Sequence, residues 1–263
     1  MKISIITINR NHLKGLQNTY QSIVAQTSKE WEWIVIDGGS AYEDRCFIEK
    51  HLSGTVYWCS EADNGPYNAM NKGLRKATGD YLIFMNSGDT FRSPSVLEQV
   101  FNRPQQADIL YGDWIQAFPD GREKLKKAPR SISLHYFCHD NICHQAMFIK
   151  RTIMQQSPYD EGYRLYADWA KWIELTLQGC SFQYVPVTIC CFEMGGMSNS
   201  LTEQQAKERK MLLAQKFSPA ISETLSFLGN IHPLSMEANR LIQKKKLFKK
   251  IIHCAIRLAR LLE

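Results

Sequence analysis

No stretch of the 263-residue chain approaches the roughly 18 uninterrupted apolar residues of a membrane-spanning helix. The first apolar run, ISIITI at 3–8, is too short for a signal-peptide core, and no small-residue cleavage site follows it. The chain therefore reads as cytoplasmic. None of its eight cysteines forms a Cys-x-x-Cys pair, and their scatter fits a reducing compartment. One group, FCHDNICH at 137–144, brings Cys138, His139, Cys143 and His144 close together. No second ligand pair stands at zinc spacing, so these read as ordinary buried or loop residues. Neither G-x-G-x-x-G nor G-x-x-x-x-G-K-[ST] occurs, which disfavours dinucleotide-type and P-loop phosphate sites. Internal repeats and low-complexity segments are also missing.

What is present is a globular composition, 44% hydrophobic and 22% charged. The net charge of +6 is uneven. Residues 240–263 hold eight Lys/Arg and one acid, so the tail accounts for the whole positive excess and the body is nearly neutral. A nucleic-acid partner would rest on that tail alone, and none is expected.

Short apolar runs alternate with helical patterns, the signature of βαβ units and a largely parallel sheet in an α/β fold. Strands are expected at 3–8, 31–37, 55–60, 80–86 and 108–114, with helices at 13–26, 41–51, 66–77 and 94–103 between and after them. Phe118-Pro119-Asp120-Gly121 marks a hairpin turn. A strand at 145–150, a helix at 168–178 and a last strand at 182–190 follow, and Pro186 suits an edge or a bulge. Everything beyond about 200 reads as helix.

In open α/β sheets ligands bind outside the carboxyl ends of the strands. Those ends carry Thr7, Asn9 and Arg10, then Asp37-Gly38-Gly39-Ser40, then Glu61-Ala62-Asp63-Asn64-Gly65, then Asn86-Ser87-Gly88-Asp89. An Asp beside a Gly at three of them suits a nucleotide held by carboxylates and a metal ion. Turn and N-cap chemistry explains any single one equally well.

The segments SIITINR, QTSKEWEWIVIDGGS, SEADNGPYNAMNKGLRKATGDYLIFMNSGD, CHQAMFIKR, YADWAKWIEL and FEMGGMS, in that order, resemble family 2 glycosyltransferases. They are most similar to bacterial members that build capsule, exopolysaccharide or colanic-acid-type repeats, and the likeness covers about residues 1–200. The resemblance implies a GT-A (Rossmann-like) fold, a mostly parallel central sheet flanked by helices. It implies a nucleotide-sugar donor, usually a UDP-sugar, and inversion at the anomeric carbon. By position, Thr7 and Asn9 line the nucleotide pocket, Asp37 accepts from the base, and Asp63 sits beside base or ribose. Many relatives carry Asp at the first and third positions of the motif Asn86-Ser87-Gly88-Asp89, so only Asp89 remains to hold Mg²⁺ or Mn²⁺. The catalytic base corresponds to Asp168, which from the residues alone is equally a helix-start acid. His144-Gln145 matches the family's His-Gln pair and would contact phosphate or acceptor or support the base loop. Lys72 would face a phosphate or solvent. Gly195-Gly196 suits a loop over the acceptor. Trp169 and Trp172 suit either sugar stacking or core packing.

The expected organisation is a glycosyltransferase domain at 1–200 and a helical extension at 201–263. Residues 240–263 alternate apolar and basic positions at helical spacing. That pattern suits a helix lying on an anionic membrane surface, or packed on the body or on a second subunit. The expected acceptor is a lipid-linked oligosaccharide at the inner face of the cytoplasmic membrane. A competing expectation is a catalytically weak, nucleotide-sugar-binding scaffold subunit, favoured by the incomplete acidic motif. A homo-oligomer is left open.

Overall fold

Isoleucines dominate ISIITIN, and the strand it forms, β1 (Ile3–Asn9), is buried at every position but Ile8. Such a run, apolar on both faces, belongs in the middle of a sheet covered on both sides. The computed structural model describes residues 1–51, 57–137, 140–196 and 202–224. In it β1 lies between two parallel neighbours, β2 (Trp31–Asp37) and β4 (Tyr81–Phe84), and β3 (Tyr57–Ser60) adds parallel outside β2. The antiparallel β8 (Met147–Lys150) joins β4 to β6 (Ile109–Ala117). Beyond β6 come the parallel β9 (Phe182–Glu193) and the short antiparallel β5 (Thr90–Phe91), while β7 (Glu123–Lys126) closes the expected hairpin on β6. Strands β1–β4, β6 and β9 thus point the same way, and their carboxyl ends share one rim of the nine-stranded sheet.

The helices are α1 (Leu13–Val24), α2 (Tyr42–His51), α3 (Pro66–Leu74), α4 (Val96–Phe101), α5 (Leu134–Phe137), α6 (Arg151–Gln156), α7 (Ala167–Leu177) and α8 (Thr202–Lys216). α3 starts cleanly because Gly65 takes φ +116° and Pro66 fills the first helical position, where its missing N–H costs nothing. Gly73 lets α3 approach the sheet: a Cβ there would press on the Ile6 side chain.

Two expectations need correcting. The strand expected at 145–150 begins only at Met147, because His144–Ala146 is a 3-10 turn closed by the Ala146 N–H on the Cys143 carbonyl. The last strand runs past 190 to Glu193. Pro186 sits where the β6–β9 register slips, so it marks a bulge, and Gly112 opposite leaves room for the Val187 carbonyl. Short β5, α5 and α6 were not expected; they are too brief to show a period. The expected amphipathic tail at 240–263, and Cys138 and His139 of the cysteine–histidine group, lie outside the described residues.

The chain divides into two compact units, Met1–Leu134 with Asn141–Leu212, and His135–Asp140 with Leu213–Glu263. The second contains the Tyr136–Phe137 ring pair, 5.4 Å between centroids, and the end of α8. The first contains the sheet.

At the amino-terminal edge of the sheet, opposite the rim, Glu32 ties three strands together. It accepts from Ser4 Oγ at 2.6 Å, Thr78 N at 2.6 Å, Thr78 Oγ1 at 2.7 Å and Gly79 N at 3.2 Å, and pairs with Lys2 at 2.7 Å. Burial alone would raise its pKa; the bonds from Lys2, Ser4 and Thr78 outweigh burial and hold it at about 2. A carboxyl depressed in the folded state contributes stability that is full above its unfolded value of 4.5 and lost as pH falls through about 2. Glu32→Gln should therefore cost about 1–3 kcal/mol at pH 7 in urea unfolding. The gap from wild type should narrow below pH 4.5 and close near pH 2. A gap that does not change with pH would remove Glu32's charge from the account.

Candidate active site

The rim is organised around a buried carboxylate. Asp37, at the end of β2, is fully buried. Its Oδ1 accepts from Asn9 Nδ2 at 2.8 Å and Ser40 Oγ at 2.5 Å, and its Oδ2 from Ser40 N at 2.8 Å and Ser60 Oγ at 2.6 Å. Desolvation pushes the pKa up, but these donors from Ser40, Ser60 and Asn9 prevail and hold it below the ordinary value. Asn9 extends the network: Nδ2 also reaches Ser40 Oγ at 3.2 Å and Asp44 Oδ1 at 3.0 Å, and Oδ1 accepts from Ser87 Oγ at 2.8 Å. The ends of β1, β2, β3 and β4 are thereby tied to one another at the crevice between β1 and β4, where strand order reverses.

The residues expected to line a nucleotide pocket all have partners within the protein. Thr7 is 0% exposed; its hydroxyl donates to the Met85 carbonyl at 2.7 Å and accepts from Trp33 Nε1 at 2.8 Å. Asn9 is equally occupied, and each Asp37 oxygen already accepts two bonds. The polar groups of these three residues are thus engaged within the protein. Asp63 is placed differently. It is half-buried, its Oδ1 accepts from Gly65 N at 3.0 Å, and its Oδ2 lies against Gly38 with no hydrogen-bond partner among the described residues. The exposed Arg10 passes the same glycine, its Cδ 3.4 Å from where a Gly38 Cβ would stand. Asp63 and Arg10 hold the open hydrogen-bonding capacity here. Lys72 does not face this opening: its ammonium pairs with Glu61 at 2.6 Å and donates to the Ala62 carbonyl at 3.2 Å.

A second cluster follows β4. The chain turns at Gly88, φ +101°, and the Glu193 carboxylate from the end of β9 fills the space a Cβ would take. Asp89 is buried; Oδ2 accepts from Gln145 Nε2 at 2.7 Å and Oδ1 from Glu193 N at 3.0 Å. Burial outweighs both bonds and raises its pKa to about 6. The 3-10 turn aims His144 between β4 and α7. Asn86 Nδ2 donates to His144 Nε2 at 3.0 Å, so in this tautomer the ring proton sits on Nδ1, 3.5 Å from Asp168 Oδ2. Asn86 Oδ1, His144 Nδ1 and Gln145 Oε1 are buried without a hydrogen-bond partner among the described residues. Such orphans are uncommon in a finished core, and three together mark a place where a polar ligand or ion belongs.

Asp168 is in the first turn of α7, with 13% of its side chain exposed. Its Oδ1 accepts from Trp169 N at 2.7 Å and lies 3.3 Å from the Tyr67 hydroxyl, which donates to the Leu165 carbonyl at 2.8 Å. Burial first, and the Asp168 charge second, push the Tyr67 and Tyr159 pKa values well up, so both hydroxyls stay protonated. Asn71 grips the backbone of Tyr159 on both sides, at 2.9 and 3.0 Å, and Asn68 and Asn71 both donate to Glu161 at 2.8 Å. Trp172 is core, donating to the Ile142 carbonyl at 3.1 Å, and Trp169 packs on Tyr166 at 5.5 Å. Gly195 and Gly196 follow β9, and residues 197–201 lie outside the described residues.

Asn86, Tyr67, Glu193 and the anchoring roles of Asn68 and Asn71 were not foreseen. Tyr67, Asn68 and Asn71 stand at helical spacing in α3, a signal that points to one packed helix face without naming what it holds. Among the described residues no group of three His, Cys, Asp or Glu side chains is gathered as metal ligands.

Comparison with known proteins agrees with this geometry. Residues 4–163 match the family described as Glycosyl transferase family 2. The chain is 32% identical over 206 residues to an uncharacterized glycosyltransferase of Mycobacterium tuberculosis, across 75% of this chain and 77% of the relative. It is 29% identical over 224 residues to a PGL/p-HBAD biosynthesis glycosyltransferase of Mycobacterium bovis, across 78% and 82%. The fold is similar to a crystal structure of S. aureus TarS 1–349 holding UDP-GlcNAc, with TM-score 0.63 and 15% identity over 86% of this chain and 70% of that one. It is also similar to the mannosyltransferase PcManGT of Pyrobaculum calidifontis holding GDP-Man and Mn²⁺, with TM-score 0.60 and 15% identity over 98% and 80%.

If Asp37 organises the rim, Asp37→Asn places an amide N–H against a donor and strands the others. The expected cost is about 2–4 kcal/mol in urea unfolding at pH 7, with nucleotide affinity down at least about tenfold. Unchanged stability and affinity would show that the strand ends hold their places without it.

Proposed function

Because the chain belongs to glycosyl transferase family 2 and is a glycosyltransferase, we propose that it transfers a sugar with inversion, using Asp168 as the base. The observation that carries this reading is the Asn86–His144 hydrogen bond with Asp168 Oδ2 3.5 Å from the other ring nitrogen, next to the partnerless amide oxygens of Asn86 and Gln145. Asp168 Oδ2 takes the proton of the acceptor hydroxyl as that oxygen bonds to the anomeric carbon, and the nucleoside diphosphate departs from the opposite face. His144, its proton on Nδ1, faces the carboxylate at 3.5 Å, and Trp169 N and the Tyr67 hydroxyl hold that carboxylate's other oxygen. Asp63 and Arg10 meet the nucleoside, above the floor made by Thr7, Asn9 and Asp37. Gln145 is held by Asp89 with its amide oxygen turned to the ligand space.

The donor is a UDP-sugar, a reading supported by the TarS complex with UDP-GlcNAc. Asp89, Glu193 and the amide oxygen of Asn86 are hard oxygen donors, the chemistry that Mg²⁺ or Mn²⁺ prefers. The orphaned Asn86 oxygen in particular fits such an ion. Bound there, the cation would neutralise the leaving diphosphate. Mn²⁺ accompanies GDP-Man in PcManGT.

The acceptor is a lipid-linked saccharide, and the enzyme works at the inner face of the cytoplasmic membrane with its basic carboxyl-terminal segment on anionic lipid. The relative concerned with PGL/p-HBAD biosynthesis supports a lipid acceptor. Among the described residues no helix is long and apolar enough to cross a membrane. The incomplete acidic motif remains the one feature in favour of the scaffold reading, and the glycosyltransferase family and relatives favour the enzyme.

Two measurements test this. Asp168→Asn should lower kcat by about 10²–10⁴-fold while leaving nucleotide binding intact; full transfer by the variant would end the base assignment. In a thermal-shift panel of UDP, GDP, dTDP and CMP, UDP with Mn²⁺ or Mg²⁺ should stabilise most, by about 2.7 kcal/mol at a hundred times its dissociation constant. Asp89→Asn or Glu193→Gln should remove the metal dependence. Equal stabilisation in chelator would discard the metal and keep the transferase.

A further inference from the structure

The helix α8 reads in sequence as a polar segment of the carboxyl-terminal extension, beyond the residues that match the family. Glu208 on it is nonetheless 2% exposed. Its Oε1 accepts from Arg164 N at 3.1 Å, and its Oε2 accepts from Leu165 N at 2.9 Å and Tyr166 N at 3.1 Å. Gln204, one turn earlier, adds a bond to Oε1 at 2.7 Å. These three successive amides lead directly into α7, whose first residue is Ala167 and second is Asp168. Tyr166 is the N-cap of α7 and Arg164 and Leu165 precede it, so one carboxylate satisfies the cap N–H and the two before it. From the other side Tyr67 holds the Leu165 carbonyl. The next residue of α8, Arg209, lies over the Trp169 ring, 5.3 Å from its centroid. The backbone around Asp168 is thus gripped by α8 and by α3.

We propose that Glu208 is a positioning residue for Asp168: its carboxylate fixes the backbone at 164–166 and so sets where the base carboxylate stands. The proposal rests on the reading of Asp168 as the base. It makes α8 part of the catalytic apparatus although no side chain of α8 need touch a substrate. Burial works against an ionised Glu208, and the bonds from Gln204, Leu165, Arg164 and Tyr166 more than offset it, leaving its pKa below the ordinary value. The group is therefore an anion at neutral pH, as the three amides require.

The test uses the full chain and the variants Glu208→Ala and Glu208→Gln. Transfer is measured per nucleotide-binding site, counted by calorimetry with UDP and Mn²⁺, so that unfolded molecules drop out. A displacement of the base by about an ångström costs up to about 100-fold, so Glu208→Ala should lose kcat on that scale. Glu208→Gln, which keeps an acceptor oxygen, should recover part of it, and the donor KM should stay within about twofold for both. Amide hydrogen exchange at 164–166 should quicken in Glu208→Gln while β1 stays protected. Unchanged kcat per site, a kcat loss that only mirrors lost binding sites, or unchanged exchange at 164–166 would each overturn the proposal. Activity retained by Asp168→Asn would instead strike the base assignment, whatever Glu208 does.

Discussion

A negative charge with no cation beside it lies under the whole rim. Asp37 is buried at the carboxyl end of β2, and its partners are hydroxyls, an amide and a backbone N–H. An isolated carboxylate in that position would cost several kcal/mol or take up a proton. Four donors remove the difficulty only if they converge, and convergence requires the ends of β1 and β3 and the 38–40 turn to close around one point. The close approach of Asn9, Ser40, Ser60 and Ser87 follows from that requirement. Asp63 and the exposed Arg10 stand beside this network, both against Gly38.

The base depends on a different kind of fixation. Asp168 is on a helix, and the loop before it must be placed by its surroundings. Asn71 holds Tyr159, Asn68 and Asn71 hold Glu161, Tyr67 holds Leu165, and Glu208 holds the amides of 164–166. The rim is fastened by one shared centre, the base loop by contacts strung along it from two helices. The orphaned atoms of Asn86, His144 and Gln145 lie between these two systems, and Asp89 joins the 3-10 turn to the end of β9.

The strand ends and the parallel heart of the sheet could be read from the chain because runs such as ISIITI and WEWIVID are apolar on both faces and end in Asp, Asn and Gly. The direction of side chains at those ends could not. Thr7 and Asn9 carry groups suited to a nucleotide, yet the partners that occupy them, Met85, Trp33 and Ser87, come from other strands and are invisible to local pattern. Asp168 was found through resemblance, since an acid in the first turn of a helix is ordinary. Glu208 gave no signal: TEQQAKERK reads as a solvated helix, and only the three amides of a segment more than forty positions away make its burial intelligible. Gln145 and Ala146 of the 3-10 turn read as strand because QAMFIK looks like one apolar run, whereas the strand begins at Met147.

The distance along the chain between Asp37 and Glu208 has a meaning during synthesis. The residues that fasten the rim, from Asn9 to Ser87, leave the ribosome long before residue 208, and domains form progressively from the amino terminus as the chain emerges. If Asp168 is the base and Glu208 positions it, as proposed, a nascent chain ending near residue 200 contains the strand-end network and the base itself, but not the carboxylate that sets the base in place. On this reading the emerging enzyme gains its means of holding a sugar donor first and its means of using it last. Under the proposed roles, a half-made polypeptide would be kept from spending activated sugar before α8 is in position.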